Sequence, residues 1–307
     1  MKFNQWSQYW HNGQLTSLPQ DFSENYEGEI LAFWHEAFAG LSEGASILDI
    51  CTGNGAIALL AQQYSDEHNK HFQVTAVDAA QIDSDVIAER FPNLKNALQK
   101  IEFIDEQPLE SMSLDSSFDL ITSQYGVEYA DWDGAAKSVK AHLKSPGSLR
   151  IMTHAPNTDI TTYMKKERQD YDYLERINFF KAIAMVLKKQ TNFSAFKKAI
   201  KTILKQLKTA YKFKANPMIE GIMNFCQHTL NSTNEQFENE RAMLTSFYND
   251  HRSAYNRMID ILTVSERIEL SPDWHDVFAE QGLQLNSKNN VYQNGQHLAG
   301  ISLVFNN

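Results

Sequence analysis

The sequence is poor in cysteine, with only Cys51 and Cys226 among its 307 residues. Two cysteines cannot build a disulfide framework, so we expect a reducing compartment. The chain also lacks the run of about 18 apolar residues that a membrane-spanning helix requires. Its first ten residues, MKFNQWSQYW, contain no continuous apolar stretch of the kind found in secretory signals. Together these absences predict a cytoplasmic protein without a membrane span.

Motifs for metal binding and for nucleophilic catalysis are missing as well. The ten histidines show no H-E-x-x-H spacing, and Cys226 with His228 is too isolated to indicate a ligand set. No Ser-His-Asp or Cys-His pattern is recognisable. We therefore predict no metal site and no covalent nucleophile.

The composition is that of a globular protein, with 42% hydrophobic and 21% charged residues. Its length suits one large α/β domain with an insertion, or two modest domains. The net charge of -10 is unevenly distributed, because residues 181–214 contain ten lysines and no Asp or Glu. The remainder must then carry about -20, so the lysine-rich segment is a separate module in electrostatic terms.

Short apolar strands alternate with helical stretches from residue 46 to residue 155, a pattern typical of βαβ units and a parallel sheet. Beyond residue 156 the pattern is helical, with a long helix predicted over about 234–264. Two final strands over 284–305 are expected to form a hairpin with a turn at Asn294-Gly295. The five earlier strands are predicted at 46–50, 72–79, 100–105, 118–125 and 148–155.

A parallel sheet that ends in an antiparallel hairpin indicates that the helical region interrupts a single domain. We accordingly divide the chain into three parts. Residues 1–46 form an aromatic-rich helical lid, residues 47–156 and 271–307 form the core, and residues 157–270 form a helical insertion.

The most informative stretch is ILDICTGNGAIALLAQ, residues 47–62, in which an apolar strand leads through a glycine turn into a helix. Residues 53–58 fit the G-x-G-x-x-G/A dinucleotide fingerprint, and Asp78 follows at the spacing of a ribose-binding acid. A nicotinamide enzyme is one interpretation of these features. However, Asp49 lies inside the strand and precedes Gly53 by four residues, whereas the first glycine of a nicotinamide turn usually follows the strand directly.

The spacing D-x-C-x-G-x-G, from Asp49 to Gly55, resembles motif I of the Rossmann-like (class I) S-adenosylmethionine-dependent methyltransferases. That motif is an acid followed by x-G-x-G-x-G, and here Cys51 replaces the first glycine. The resemblance covers roughly residues 44–156 and 271–307, including a closing hairpin that nicotinamide domains lack. It implies a doubly wound, mostly parallel seven-stranded sheet with a C-terminal antiparallel hairpin, an inserted α-helical cap, and S-adenosylmethionine as the cofactor.

Each predicted cofactor contact has a physical role. Glycines in the turn let the backbone approach a ligand, and the N-terminus of the following helix offers N–H groups to a carboxylate. The resemblance implies that Asp49 acts on the ammonium end of the methionine moiety, that Asp78 accepts both ribose hydroxyls, and that Asp105 binds the adenine amino group. The complete predicted set is Tyr26, Asp49, Thr52, Gly53, Asn54, Gly55, Asp78, Ala79, Asp105, Glu106, Ser123 and Gln124.

One adenine contact stays open at this stage. The segment between Asp105 and the DSSFD stretch at 115–119 is about two residues longer than the family's common pattern. Glu106 or Glu110 is therefore an alternative to Asp105.

The segment after the fourth strand, SQYGVEYADW at 123–132, is where related enzymes display their reaction type. Amino-methylating enzymes carry an N/D-P-P-Y/F motif there, and this segment has no such prolines, so methylation of a planar nitrogen is disfavoured. Alignment and proton removal are the main tasks of methyl transfer. Candidate bases or orienting groups are Tyr125, Glu128, Tyr129 and His154, although each could serve only in packing or ion pairing.

The resemblance implies a small-molecule acceptor, because insertions of this kind commonly cover the substrate pocket in related enzymes. Two alternatives remain. The acceptor could be RNA or protein, bound through the basic helices 181–214, or the chain could bind S-adenosylmethionine without catalysis. Nucleic acid is disfavoured, since the basic segment has no arginine and its aromatic residues follow an apolar helical stripe. A solvated lysine face is the simplest interpretation, and a homodimer is left open.

Overall fold

The computed structural model describes residues 4–17, 24–212 and 215–307. Residues 1–3 and 18–23 of the expected N-terminal lid, and residues 213–214 of the basic segment, lie outside this range. The strands are β1 (Ser46–Ile50), β2 (Gln73–Val77), β3 (Ile101–Ile104), β4 (Phe118–Gln124), β5 (Leu143–Thr153), β6 (Gln284–Gln293) and β7 (His297–Asn306).

Thirteen α-helices are present in the described residues, alongside three short 3₁₀ turns at Pro92–Leu94, Leu109–Ser111 and Val127–Tyr129. The helices are α1 (Asn4–His11), α2 (Gly28–Ala39), α3 (Ala56–His68), α4 (Ser84–Arg90), α5 (Lys95–Leu98), α6 (Trp132–His142), α7 (Asp159–Arg176), α8 (Phe179–Leu187), α9 (Phe193–Ala210), α10 (Pro217–Asn231), α11 (Asn234–Asn239), α12 (Arg241–Leu270) and α13 (Asp276–Glu280).

The seven strands form one sheet in the order β3-β2-β1-β4-β5-β7-β6. Strand β1 pairs in parallel with β2 and β4, and β7 is antiparallel to both β5 and β6. The strand order reverses at β1, so the carboxyl ends of β1 and β4 flank the crevice where ligands bind in open α/β sheets. The predicted fold class, a mostly parallel seven-stranded sheet with a closing hairpin, is confirmed.

The closing hairpin turns where the sequence predicts. Asn294 and Gly295 both have positive φ, 54° and 65°, as the two central residues of a type I′ turn require. Asparagine and glycine adopt this conformation at the least steric cost.

Helices cover both faces of the sheet, so the strands are buried on two sides. On one face α2 and α3 pack Trp34, Phe38 and Leu59 against the sheet. On the other face α6 and α13 bring Val139 and Phe278 into a second apolar cluster. This packing fixes the loops at the carboxyl ends of the strands.

The chain divides into two compact units. The first comprises residues 1–161 and 260–307 and contains the sheet, and the second comprises residues 162–259. The boundary differs from the predicted insertion of 157–270, because residues 260–270 at the end of α12 belong with the sheet. The role of the insertion as a substrate cap stays a prediction.

The second unit is entirely helical within its described residues. Helix α9 buries the stripe that its sequence indicates: Phe196, Ile200, Ile203, Leu204 and Leu207. The single helix predicted over 234–264 is wrong in one respect, because α11 ends at Asn239 and α12 begins at Arg241. A capping box formed by Thr233 and Gln236 starts α11. The break at Glu240 carries no glycine or proline signal in the sequence. No described helix is both long and apolar enough to cross a membrane.

Candidate functional site

A cavity of about 380 Å³ lies in the first unit at the carboxyl ends of the parallel strands, a size typical of small-ligand sites. Nine of the residues singled out from the sequence line it: Tyr26, Asp49, Thr52, Asp78, Ala79, Glu110, Gln124, Tyr125 and Tyr129. Eight others do not: Gly53, Asn54, Gly55, Asp105, Glu106, Ser123, Glu128 and His154. Gly53, Asn54 and His154 instead contact residues that line the cavity.

The glycine turn follows β1 with three residues in the left-handed region: Cys51, Gly53 and Gly55, at φ values of 54°, 56° and 85°. Residues other than glycine rarely adopt this backbone conformation. Cys51 does so against Gly126, where an added Cβ would lie 2.3 Å from the Cys51 Cβ. The small thiol therefore fits only because residue 126 is also glycine.

Both glycines of the turn are in close contact with aromatic rings. A Cβ on Gly53 would come within 2.5 Å of the Trp10 ring, and one on Gly55 within 2.7 Å of the Phe103 ring. At distances below 3 Å the ring would have to move, so glycine at both positions keeps the rings in place and also suits the positive φ. The turn thus forms a cradle closed on one side by Trp10 of α1.

Asp78 directly follows β2, the strand next to β1, and its side chain hydrogen-bonds to the glycine turn. Its Oδ2 accepts the Gly53 N–H at 2.7 Å, and its Oδ1 accepts the Ala80 N–H at 2.7 Å. Burial raises the pKa of Asp78 to about 6, although these N–H donors oppose the rise. A carboxylate beside the cradle, with lone pairs left on both oxygens, is suited to accept two vicinal hydroxyls.

Asp49 is buried within β1 and organises the same turn from below. Its Oδ1 accepts the Thr122 hydroxyl at 2.7 Å, while its Oδ2 accepts the Thr52 hydroxyl and the Ala58 N–H. Burial raises its pKa to about 6. Asp49 therefore connects β1, β4, the turn and the start of α3. The predicted influence of Asp49 on the ammonium group of a ligand would act through these hydrogen bonds.

Asn54 connects the turn to the N-terminal segment. Its Nδ2 donates to the backbone carbonyls of Trp10 and Gln14, each at 2.8 Å, and its Oδ1 accepts the Asp83 N–H. These three hydrogen bonds of its side chain fix the N-terminal segment and the residue before α4 to the turn. The predicted contact of Asn54 with the cofactor stays a prediction.

The predicted adenine contacts are separated by the structure. Asp105 is exposed, and Glu106 has a positive φ of 53° with its N–H on the Ala80 carbonyl. Of the three acidic candidates only Glu110 lines the cavity, where its Oε1 accepts the Asp131 N–H at 2.8 Å. Leu109 is buried beside it and supplies an apolar surface.

Residues at the end of β4 set one wall of the cavity. Gln124 accepts the Trp34 indole N–H through its Oε1 at 2.5 Å. The buried Ser123 hydroxyl accepts the Val127 N–H at 3.1 Å and shapes the following turn. The Tyr26 hydroxyl lies 3.1 Å from the Ser17 hydroxyl, and its ring meets Tyr125 edge-on at 6.4 Å.

Three of the candidate bases, Tyr125, Tyr129 and His154, contact one another through their side chains. The Tyr129 hydroxyl lies 3.1 Å from His154 Nε2, and the Tyr125 ring stacks on the His154 ring at 4.7 Å. Burial lowers the pKa of His154 to about 4, so the imidazole is neutral near pH 7. Tyr125 and Tyr129 both line the cavity, and the Tyr125 hydroxyl donates to the Ala299 carbonyl at 2.9 Å.

Glu128 is fully buried next to this group. Its Oε1 accepts the His154 N–H at 2.8 Å, and burial raises its pKa to about 7. The carboxyl therefore holds the backbone of residue 154 in place and does not pair with a lysine.

Sequence reasoning missed the cavity residues that come from the end of α12. Asp260, Thr263, Val264 and Arg267 recur at three- and four-residue spacing and line the cavity from one helix face. The Arg267 guanidinium donates to the Ala130 carbonyl at 3.0 Å and lies 3.5 Å from the Trp132 ring. In the sequence, the helical period of α12 places these four residues on one face of the helix. It does not show that this face borders a cavity.

Asp260 meets α1, the helix that also carries Trp10. Its Oδ2 accepts the Gln5 amide N–H at 2.7 Å and the Trp6 indole N–H at 3.1 Å. Trp6 stacks near Trp10 at 6.1 Å and meets Tyr129 edge-on at 5.8 Å. The aromatic faces of α1 thus form part of the cavity wall. Among the described residues, no three His, Cys, Asp or Glu side chains are grouped so as to hold a metal ion.

Comparison with known proteins gives one family match. A family model described as a methyltransferase domain matches residues 22–193, more than half of the chain. None of the curated proteins compared with the chain matches it.

Several solved structures are similar over part of the chain. The [4+2]-cyclase SpnF is 19% identical over 40% of this chain and 43% of its own, with a TM-score of 0.34. A TehB-like SAM-dependent methyltransferase from Corynebacterium glutamicum is 21% identical over 49% and 71%, with a TM-score of 0.34. TrmN from Thermus thermophilus is 20% identical over 45% and 41%, with a TM-score of 0.35. The chain spans less than half the length of the first and third of these structures.

Proposed function

This chain belongs to the S-adenosylmethionine-dependent methyltransferases that carry a methyltransferase domain, and we propose that it transfers the methyl group to a small-molecule acceptor. The observation that carries the proposal is the contact between Asp78 and the Gly53 N–H at the edge of the cavity. It unites a ribose-binding carboxylate with a turn that has no room for a side chain.

The residues around the cavity fit the donor. Asp78 would hold the ribose hydroxyls, and Leu109 with Glu110 would border the adenine. Ala56 and Ile57, the first residues of α3, line the cavity where a helix N-terminus favours a carboxylate. The rings of Trp6 and Trp10 offer π faces that favour a cationic ligand.

When bound, S-adenosylmethionine supplies a methyl group on a sulfonium centre, and the protein's task is to align the acceptor and exclude water. The α1 rings close the cavity near the glycine turn, and the Tyr125 ring holds the His154 imidazole by stacking. Tyr129 would orient the acceptor atom, and neutral His154 would receive a proton through the Tyr129 hydroxyl. Glu128 would act through the backbone of residue 154 as a positioning residue.

The size of the cavity, about 380 Å³, is typical of small-molecule sites and supports a small acceptor over a macromolecule. A macromolecular acceptor would use the lysines of α9, and none of the described ones lines the cavity. The lysine-rich helices therefore supply no separate support for RNA or protein methylation.

Isothermal titration of the purified protein with S-adenosylhomocysteine, and in parallel with NADH, tests the proposal. We expect micromolar binding of the former alone. Transfer of a labelled methyl group to a small-molecule pool, but not to RNA or protein, would then support the acceptor class. Binding of NADH alone would overturn the assignment, and donor binding with no transfer to any pool would favour a non-catalytic binding protein.

A further inference from the structure

The cavity contains four carboxylates, and all four have structural partners. The oxygens of Asp49 and Asp78 accept hydroxyl or backbone N–H groups of the glycine turn and its neighbours. Glu110 accepts a backbone N–H from the loop that leads into α6. The fourth carboxylate is Asp260, which is held by two side-chain N–H donors from α1 and is the one whose charge acts on Tyr129 from the side of α12.

Only one oxygen of Asp260 is occupied. Both donors, the Gln5 amide and the Trp6 indole, reach the same atom, Oδ2, at 2.7 and 3.1 Å. No described residue donates a hydrogen bond to Oδ1, and no described Lys, Arg or His side chain forms an ion pair with this carboxylate. Two N–H donors on one oxygen fix the orientation of the carboxylate. The second oxygen is left for a ligand.

Asp260 is next to the group that would handle the acceptor. Its partner Trp6 meets the Tyr129 ring edge-on at 5.8 Å, and the Tyr129 hydroxyl lies 3.1 Å from His154 Nε2. Burial raises the pKa of Tyr129, and the negative charges of Glu128 and Asp260 raise it further. A carboxylate this close to Tyr129 makes that part of the cavity electronegative.

On the premise of the proposed methyl transfer, we propose that Asp260 binds the ammonium group of the acceptor through Oδ1, so that the acceptor is an amine. An ammonium forms a short, charge-assisted hydrogen bond to a carboxylate. The rings of Trp6 and Tyr129 beside it add attraction for a cation. An apolar or aromatic body on the acceptor would fit the ring-lined remainder of the cavity.

Arg267 is the one cationic side chain among the described residues that line the cavity. It does not favour an anionic acceptor. Arg267 donates to the Ala130 carbonyl, and its guanidinium lies 3.5 Å from the Trp132 ring. It is thus engaged with the loop between β4 and α6. An anionic acceptor is the competing outcome, and the experiment includes a probe for it.

Titration calorimetry on protein saturated with S-adenosylhomocysteine tests this inference by binding alone. The probes are 2-phenylethylamine, 2-phenylethanol and 3-phenylpropanoate at pH 7.5. We expect the amine to bind at least ten-fold more tightly than the alcohol or the acid. Asp260→Asn should reduce amine affinity at least ten-fold and leave S-adenosylhomocysteine affinity unchanged. Glu266→Gln, at an exposed carboxylate on the same helix, is the matched control and should behave as the wild type.

The comparison of the three probes needs no variant, so it stands even if Asp260→Asn fails to fold. Equal binding of amine and alcohol, tighter binding of the acid, or no binding of the amine would each overturn the inference. Unchanged amine affinity in folded Asp260→Asn would do the same. Failure of S-adenosylhomocysteine to bind wild-type protein would instead overturn the proposed function, so the two failures are distinguishable.

Discussion

Trp10 and Gly53 are in such close contact that a Cβ added to Gly53 would lie 2.5 Å from the Trp10 ring. One residue belongs to the N-terminal helix and the other to the glycine turn, 43 positions later. The contact makes the N-terminal helix part of the cavity wall beside the glycine turn. It also explains why this turn cannot carry a side chain even before a ligand is considered.

Replacement of Gly53 tests that contact. We expect Gly53→Ala to lower S-adenosylhomocysteine affinity more than ten-fold, because the methyl group displaces Trp10 and strains a residue at a φ of 56°. Calorimetry measures the affinity. Gly44→Ala is the matched control, since Gly44 has a φ of 74° but nothing within 4 Å of an added Cβ. Equal affinities in the two variants would show that crowding at the turn does not matter.

The affinity for S-adenosylhomocysteine should depend on the ionisation of Asp78. Burial raises the pKa of this carboxyl to about 6 in the free protein, and only the ionised form accepts both ribose hydroxyls. Affinity should thus increase with pH through about 6 and be roughly ten-fold weaker at pH 5 than at pH 8.

The variant Asp78→Asn carries no titrating group and should flatten this dependence. At pH 8 it should bind with a loss of about 1–3 kcal/mol, the usual cost of losing a charged hydrogen-bond acceptor. Asp115→Asn changes an exposed carboxylate and serves as the control. A pH profile that persists in Asp78→Asn would assign the titration to another group, with Asp49 the first candidate.

Asn54 should control the order of the N-terminal segment. Asn54→Ala removes the two hydrogen bonds to the Trp10 and Gln14 carbonyls. We expect faster amide hydrogen exchange over residues 5–16, while exchange in β1 stays unchanged because the sheet is intact. Mass spectrometry of exchanged peptides measures both regions together. Unaltered exchange over residues 5–16 would contradict the role of Asn54 as the anchor.

Glu128 should make the protein less stable as the pH rises. Its pKa is raised from 4.5 to about 7 on folding, so its contribution is complete below pH 4.5 and is lost as the pH increases through about 7. Glu128→Gln keeps an oxygen acceptor for the His154 N–H but cannot ionise. We expect it to raise the free energy of unfolding at pH 8 by on the order of 3 kcal/mol and to change it little at pH 4.5.

Urea unfolding at the two pH values measures this difference. Glu110→Gln, at an exposed carboxylate, is the comparison and should show no such pH dependence. A variant that is less stable than the wild type at pH 8 would mean that the ionised form of Glu128 is stabilised by groups other than the His154 N–H.

The sequence by itself determined the fold and the glycine turn that borders the cavity. Alternating apolar strands and helices predicted the parallel sheet, and Asn294-Gly295 predicted the turn of the closing hairpin. The spacing of Asp49, Gly53 and Gly55 indicated the turn, and Asp78 is located at its edge as expected. These features are local, because strand period, turn residues and motif spacing are set by near neighbours in the chain.

Only the tertiary structure decided which side chains share the cavity. Asp260 and Trp6 are 254 positions apart and meet because α1 packs beside the end of α12. Tyr129 and His154 meet because β4 and β5 are adjacent in the sheet. The Asn54 side chain reaches the carbonyls of Trp10 and Gln14 in the N-terminal segment, and Asp105 is exposed. Contacts between distant segments depend on how amphipathic faces pack together, and a single sequence shows that such faces exist but not which of them meet.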